Sequence, residues 1–202
     1  MPPEEVPIIQ KRLVDACRNH GKPIVVATQM LDSMVNSPSP TRAEASDVAT
    51  AVFDSVDCVM LSAETASGKF PIESVKIMDR IIRGVENDFS YRQLLESKKI
   101  KLEETTSDAI SSAASQVVKT VLAKAIFTYT RSGGTAKRAA RERPTVPIIG
   151  LSPERLTARQ LALIWGVHNI HALEPKSFSG MIENACDVAK KEKIVKKGDY
   201  VV

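Results

Sequence analysis

Residues 58–85 read CVMLSAETASGKFPIESVKIMDRIIRGV and join a predicted strand to a predicted helix. Residues 58–63 are mostly apolar, as in a strand of a parallel sheet that is buried on both faces. Pro71 suits the first turn of a helix, and apolar residues recur after it at helical spacing. These residues are Val75, Met78, Ile81, Ile82 and Val85. The stretch therefore predicts one βα unit.

The residues before this unit repeat the alternation of helix and strand. Residues 2–21 predict a helix, and Gly21 is placed to terminate it. Residues 24–28, IVVAT, predict a second strand buried on both faces. Between the strands, Thr41 and Glu44 predict a capping box at a helix start. Strands that alternate with helices indicate right-handed βαβ units and a parallel sheet.

The second half of the chain continues the pattern after a polar stretch. Residues 96–106 are rich in Lys and Glu and predict a domain boundary, with domains 1–96 and 97–202. The predicted helices cover about 107–122, 155–165 and 178–191, and another helix follows the turn at 132–135. The predicted strands are 125–129, 146–150, about 167–171 and 199–202. This order predicts an open, doubly wound α/β domain, whose ligands bind at the carboxyl ends of its strands.

Composition excludes several classes of protein. The net charge of +4 is too mild to indicate a nucleic-acid partner without clustering on one face. The three cysteines are widely separated, so a disulfide framework and a zinc site are both disfavoured. The first residues, MPPEEVP, do not have the pattern of a signal peptide, and no apolar run approaches the length of about 20 residues that a membrane span needs. A reduced, cytoplasmic protein without a membrane partner is expected.

Polar residues at the ends of the first two predicted strands are candidate catalytic groups. Thr28 ends the first strand, and Ser62 and Glu64 follow the second. Hydroxyls and a carboxylate at the carboxyl ends of parallel strands could orient a substrate and relay protons. The alternative is that Thr28 and Ser62 only cap the helices that follow them, and spacing alone favours this alternative.

A second candidate site lies in the second half, in the segment from Thr130 to Thr135. A strand, a glycine-rich turn and a helix N-terminus form an anion site, because free amides point at the ligand. The segment consists of Thr130, Arg131, Ser132, Gly133, Gly134 and Thr135. Lys137, Arg138, Arg141 and Arg143 are expected to keep the neighbourhood positive. The alternative is an ordinary solvated basic helix.

Three motifs carry a resemblance to a known family. Residues 27–34, ATQMLDSM, residues 40–44, PTRAE, and residues 60–68, MLSAETASG, follow one another at set spacings. Together they are similar to consecutive signatures of pyruvate kinases, and the similarity extends over residues 2–202. The resemblance implies the last βα units of a TIM-type barrel followed by most of a C-terminal effector domain. It also leads us to expect that the chain is a C-terminal fragment of a longer enzyme.

The resemblance implies an activity and roles for the first candidate residues. Pyruvate kinases transfer the phosphoryl group of phosphoenolpyruvate to ADP in glycolysis and then protonate the enolate. Thr28 matches a threonine that contacts the substrate, and Ser62 and Glu64 match a proton relay. Ala63 departs from the family, in which many members have glycine. The family's catalytic lysine and its ligands for Mg²⁺ and K⁺ lie upstream of this chain, which is therefore expected to hold no metal ligand and to be inactive alone.

The resemblance also implies partners. The segment from Thr130 to Thr135 matches the family's effector-phosphate loop, which accepts sugar phosphates such as fructose 1,6-bisphosphate. The helix that carries Arg42 matches a region at a subunit interface, so a homotetramer is implied for the complete enzyme. A different hypothesis is a stand-alone module that binds a phosphorylated effector without catalysis.

Overall fold

The computed structural model describes residues 2–98, 104–175 and 177–202. The chain divides into two compact units, Met1–Lys99 and Ile100–Val202. Each unit has a parallel sheet and apolar cores of its own. Part of the predicted boundary stretch, residues 99–103, lies outside the described residues, so the exact domain limits remain a prediction.

The first unit alternates helices with two short strands. Its α-helices and strands, in chain order, are α1 (Val6–Asn19), β1 (Val25–Val26), α2 (Arg42–Phe53), β2 (Cys58–Val59), α3 (Ala63–Ala66), α4 (Pro71–Glu86) and α5 (Phe89–Ser97). A 3-10 turn, Asp32–Val35, lies between β1 and α2. No predicted element corresponds to α5, which begins where the Asp88 carboxylate accepts a hydrogen bond from the N–H of Ser90.

The predicted helix ends of the first unit are confirmed. Gly21 has a φ of 59°, and the N–H groups of Gly21 and Lys22 donate to the carbonyls of Arg18 and Cys17. This left-handed terminator stops α1 and satisfies its last carbonyls. At the start of α2, Thr41 and Glu44 form the reciprocal hydrogen bonds of a capping box.

The two strands of the first unit are shorter and more exposed than predicted. They pair in parallel, with Val25 opposite Cys58 and Val26 opposite Val59. Val25 is 44% exposed and Met60 is 42% exposed, so the prediction of burial on both faces is wrong for these strands. The physical reason is that the described helices of this unit cover only the face that carries Val26 and Val59.

The segment that follows β1 is packed into a core of this unit. Leu31 and Met34 are fully buried, and Met30 is 5% exposed. They cluster with Val48 of α2 and Met78 of α4. This packing fixes the chain directly after Thr28, where the first candidate site lies.

The second unit follows the predicted order of helices and strands through residue 191, but residues 199–202, predicted as a strand, are not assigned to one. Its α-helices and strands are α6 (Thr106–Val121), β3 (Ile126–Tyr129), α7 (Gly134–Arg141), β4 (Ile148–Ser152), α8 (Arg155–Gln160), β5 (Val167–His171) and α9 (Phe178–Lys191). A 3-10 turn, Leu161–Leu163, replaces the last part of the helix that was predicted over 155–165. The three strands form a parallel sheet in the order β3-β4-β5.

Helices cover both faces of this second sheet. On one face, Ile126 and Ile148 pack with Ala136 of α7 and with Leu161. On the other face, Ile149 and Leu151 pack with Val188 of α9.

The last residues lie along the free edge of β3, where the N–H of Phe127 donates to the carbonyl of Val202 at 2.7 Å and the N–H of Val202 donates to Ala125 at 3.1 Å. The sheet therefore extends in both directions from β3, as in a doubly wound fold. Within the described ranges, no helix has the length and apolar character needed to cross a membrane.

Candidate functional site

Thr28 has an unusual backbone conformation at the end of the first strand. Its φ is 74°, and that of the next residue, Gln29, is 52°. A β-branched residue rarely adopts this left-handed conformation, and such strain costs on the order of 1–3 kcal/mol. Both residues are exposed. Strain of this kind persists only where the surrounding structure holds it, and it is concentrated at functional sites.

The hydroxyls of Thr28 and Ser62 do not cap helices, so the capping alternative is wrong. Ser62 precedes α3, but its side chain makes no capping hydrogen bond. Thr28 is three residues away from Leu31, which occupies the position before the 3-10 turn. Within the described part of the chain, neither hydroxyl has a hydrogen-bond partner. Both hydroxyls are therefore available to a ligand.

The Glu64 carboxylate connects the two strand ends. The side chain is 2% exposed. One carboxylate oxygen, Oε1, accepts a hydrogen bond from the N–H of Leu31 at 3.0 Å. The other oxygen, Oε2, accepts one from the N–H of Ser62 at 2.7 Å. Glu64 thus brings together the segment after Thr28 and the segment that carries Ser62.

The surroundings of Glu64 favour its charged form. Burial raises the pKa of Glu64, but hydrogen bonds from the backbone amides of Glu64, Ser62 and Leu31 outweigh burial and lower it. A carboxylate with a lowered pKa is ionised at neutral pH. The Glu64 carboxylate accepts hydrogen bonds from the backbone N–H groups of Leu31 and Ser62, and these bonds fix the positions of both residues.

Glu44 makes more contacts than its capping role requires. Its carboxylate accepts hydrogen bonds from the N–H and the hydroxyl of Ser33, at 2.7 and 2.6 Å, in addition to those from Thr41. Partial burial raises the pKa of Glu44, but the hydrogen bonds from Ser33 and Thr41 prevail and lower it to about 2. Sequence reasoning found the pair Thr41–Glu44 but missed Ser33, because no local pattern joins Ser33 to Glu44.

The second candidate site is a tight turn between β3 and α7. The Thr130 hydroxyl, in a residue that is 7% exposed, accepts a hydrogen bond from the N–H of Gly133 at 2.9 Å. Gly133 has a φ of 86°, and an added Cβ atom would lie 3.2 Å from Leu161. The Thr157 hydroxyl donates to the carbonyl of Arg131 at 2.6 Å. Thr130 and Gly133 thus shape the turn and are not free to bind a ligand through these groups.

Other groups of this turn face solvent. Ser132 and Thr135 are exposed, and their hydroxyls have no hydrogen-bond partner among the described residues. The side chains of Lys137 and Arg138 lie beside the glycines. A Cβ atom added to Gly133 or Gly134 would be 3.6 Å from Lys137 Cε or Arg138 Nη1, respectively. Two hydroxyls and two cations therefore surround the first turn of α7.

Two of the expected cations point elsewhere. Arg141 forms a buried ion pair with Asp108 of α6. The guanidinium of Arg143 lies 4.8 Å from the centre of the Trp165 ring, and both arginines are 6% exposed. The prediction that Arg141 and Arg143 keep the turn positive is therefore wrong. Both side chains are directed into the unit, where each buried guanidinium has a contact that offsets the cost of its burial.

The remaining side chain of the turn is paired on the surface. The Arg131 guanidinium donates to the Glu174 carboxylate at 2.7 Å, and both side chains are largely exposed. Such a pair contributes little to stability, so Arg131 can exchange partners. The geometry of both sites defines an α/β protein with polar groups at the carboxyl ends of its parallel strands.

Comparison with known proteins identifies the family. Residues 1–75 match the family model "Pyruvate kinase, barrel domain", and residues 108–202 match "Pyruvate kinase, alpha/beta domain". The chain belongs to the pyruvate kinase family. This confirms the predicted fold class, the end of a TIM-type barrel followed by a doubly wound α/β domain.

Individual relatives agree over the whole chain. A pyruvate kinase of Methylorubrum extorquens is 47% identical over 202 residues, which are 100% of this chain and 42% of the relative. One from Agrobacterium vitis is 46% identical, with 43% of its length covered. The crystal structure of a Cryptosporidium parvum pyruvate kinase superposes with a TM-score of 0.92 at 37% identity and covers 100% of this chain and 41% of that chain. The chain spans about two-fifths of the length of these relatives.

Proposed function

We propose that this chain supplies part of the active site of a pyruvate kinase, which transfers a phosphoryl group from phosphoenolpyruvate to ADP and protonates the resulting enolate. The observation that carries the proposal is the strained Thr28 at the end of β1, linked by Glu64 to Ser62 at the end of β2. Cytoplasmic location and a homotetrameric assembly belong to the same proposal and are supported by family membership.

Each residue has a role that its chemistry allows. Thr28 is exposed and presents its hydroxyl to the substrate, near the carboxylate and the reacting carbon. A hydroxyl both donates and accepts hydrogen bonds, so Ser62 can accept a proton from water while it donates its own to the enolate carbon. Glu64 holds the Ser62 amide and therefore sets the direction of the Ser62 side chain.

The family's Mg²⁺ and K⁺ do not fit the carboxylates around Thr28. Glu44 and Glu64 already accept hydrogen bonds from protein N–H and O–H groups. The described residues contain no group of three His, Cys, Asp or Glu side chains that could hold a metal ion. The inactivity of this chain in isolation remains a prediction.

Replacing Ser62 with alanine should impair protonation. The test uses a hybrid in which this chain replaces the matching 42% of the M. extorquens relative. We expect Ser62→Ala to lower kcat for pyruvate formation by about 10²-fold, because a positioned proton carrier contributes at least that much. The exchange of pyruvate methyl hydrogens with solvent should slow by a similar factor, since this exchange is the same proton transfer in reverse.

Ser67→Ala is the matched control. Ser67 follows the other end of α3, and its hydroxyl donates to the carbonyl of Ala63 at 3.4 Å. This variant should retain kcat within about twofold, as expected for an exposed hydroxyl outside the site. Equal activity of Ser62→Ala and the parent hybrid would contradict the relay.

A second candidate function is the binding of a phosphorylated effector at the turn before α7. It is favoured by the two free hydroxyls, Ser132 and Thr135, beside Lys137 and Arg138 at a helix N-terminus. This function is compatible with a complete pyruvate kinase and also with a module that binds without catalysis.

The Ser132 hydroxyl should contribute to this binding. Fructose 1,6-bisphosphate titrated into the 202-residue chain should shift the NMR signals of the Gly133 and Gly134 amides. Ser132→Ala should weaken binding by about 10- to 100-fold, because a hydrogen bond to a charged group is worth about 1.5–3 kcal/mol. Thr120→Ala, which removes an exposed hydroxyl on α6, should leave the affinity unchanged. Shifts confined to residues outside the turn would exclude this site.

A further inference from the structure

The strained backbone at Thr28 and Gln29 needs support from its surroundings. With φ values of 74° and 52°, these residues would relax to ordinary conformations if the following segment were free to move. On the strand side, Val26 is held by its pairing with Val59. The contacts of the segment after Gln29 therefore determine whether Thr28 keeps its strained conformation at the candidate active site.

Two carboxylates anchor the segment after Gln29. The Glu64 carboxylate accepts a hydrogen bond from the N–H of Leu31. The Glu44 carboxylate accepts hydrogen bonds from both the N–H and the hydroxyl of Ser33. The two acidic residues lie on different helices, α3 and α2, and the intervening Leu31 is fully buried. The segment is thus fixed at two points within five residues of Thr28.

We propose that Glu44, acting through Ser33, is a positioning residue that holds Thr28 in its strained conformation at the active site. This inference rests on the proposed function of Thr28. The capping box alone requires only Thr41 and Glu44. The two additional hydrogen bonds to Ser33 join residues 11 positions apart and carry the inference.

Ser33 and Thr41 form a natural pair for the test. Their hydroxyls donate to the same oxygen, Glu44 Oε2, at 2.6 and 2.8 Å. Ser33→Ala and Thr41→Ala each remove one of these donors and leave the carboxylate in place. Ser33→Ala removes a contact of the segment that follows Thr28, whereas Thr41→Ala removes a contact at the start of α2.

We expect the two variants to differ in catalysis. In the hybrid with the M. extorquens relative, Ser33→Ala should lower kcat about tenfold, because small displacements of a positioned group are costly. Thr41→Ala should lower the melting temperature by about 2 °C, from the loss of a cap, with kcat unchanged within twofold. If both variants kept full kcat, or lowered it equally, the positioning role would be overturned.

A second readout uses the 202-residue chain itself. In its amide NMR spectrum, Ser33→Ala should shift the signals of Thr28, Gln29 and Met30, whereas Thr41→Ala should leave them in place. Unchanged signals in Ser33→Ala would overturn the inference even if the hybrid were inactive. An inactive parent hybrid combined with shifted Thr28 signals would instead contradict the proposed function and leave the positioning by Glu44 supported.

Discussion

Replacing Asp108 with alanine should lower the free energy of unfolding of the second unit by about 3–5 kcal/mol. Asp108 and Arg141 form an ion pair in which the side chains are 2% and 4% exposed. Removing the carboxylate takes this counter-charge away from a guanidinium that stays buried, and a buried charge that loses its ion-pair partner is costly. The pair joins α6 to α7, so the loss should affect the cooperative unfolding of the whole unit.

Trp165 gives a direct measurement of this effect. It is the single tryptophan of the chain and lies in the second unit, under the guanidinium of Arg143. Its fluorescence during urea denaturation reports the unfolding of this unit. The double variant Asp108→Leu/Arg141→Met should recover most of the stability, because neither charge of the pair is left buried. Glu174→Gln, which removes the exposed pair with Arg131, should change stability by less than about 1 kcal/mol. A similarly small effect of Asp108→Ala would contradict this account of the buried pair.

Replacing Glu64 with glutamine should destabilise the first unit by about 1.5–3 kcal/mol, which is the range for a lost hydrogen bond to a charged group. The amide NH₂ of glutamine must face either the N–H of Leu31 or that of Ser62, so one backbone donor is left unsatisfied. Because both candidate catalytic segments depend on this carboxylate, kcat of the hybrid enzyme should fall by more than the tenfold expected for Ser33→Ala.

Hydrogen exchange of the Leu31 and Ser62 amides measures the structural part of this prediction. Both amides should exchange faster in Glu64→Gln than in the parent chain. Glu73→Gln, an exposed substitution in the first turn of α4, should leave both rates unchanged. Continued protection of both amides in Glu64→Gln would show that other contacts hold the strand ends.

The lowered pKa of Glu64 also predicts a pH dependence with a definite sign. The stabilising contribution is fully present above the ordinary glutamate pKa of about 4.3 and is lost as the pH falls through the lower pKa of the folded state. The pKa of Glu44, lowered to about 2, gives a contribution of the same sign. The Glu64→Gln variant should therefore lose less stability on acidification than the parent chain does.

The features that could be predicted from sequence depend on nearby residues. The capping box joins Thr41 and Glu44, three positions apart, and the Gly21 terminator acts on the turn directly before it. The motif of residues 60–68 and its neighbours was sufficient to indicate the family, which the comparisons confirm.

The features that sequence reasoning missed join distant residues. Leu31 and Glu64 are 33 positions apart, as are Asp108 and Arg141. The sequence alone predicts that a charged residue on a helix is exposed to solvent. For this reason Arg141 is expected near the turn, although its side chain pairs with Asp108 inside the unit. The left-handed backbone of Thr28 was also hidden, because threonine normally avoids this conformation.

Thr28 also bears on how the sequence would change over generations. Glycine adopts a positive φ without steric cost, so selection for folding alone would favour glycine at this position. In a lineage in which Thr28 no longer served the proposed active site, position 28 should therefore change to glycine, with a gain in stability. If threonine were retained at this position, its hydroxyl would still be under selection, even though glycine would give a more stable fold.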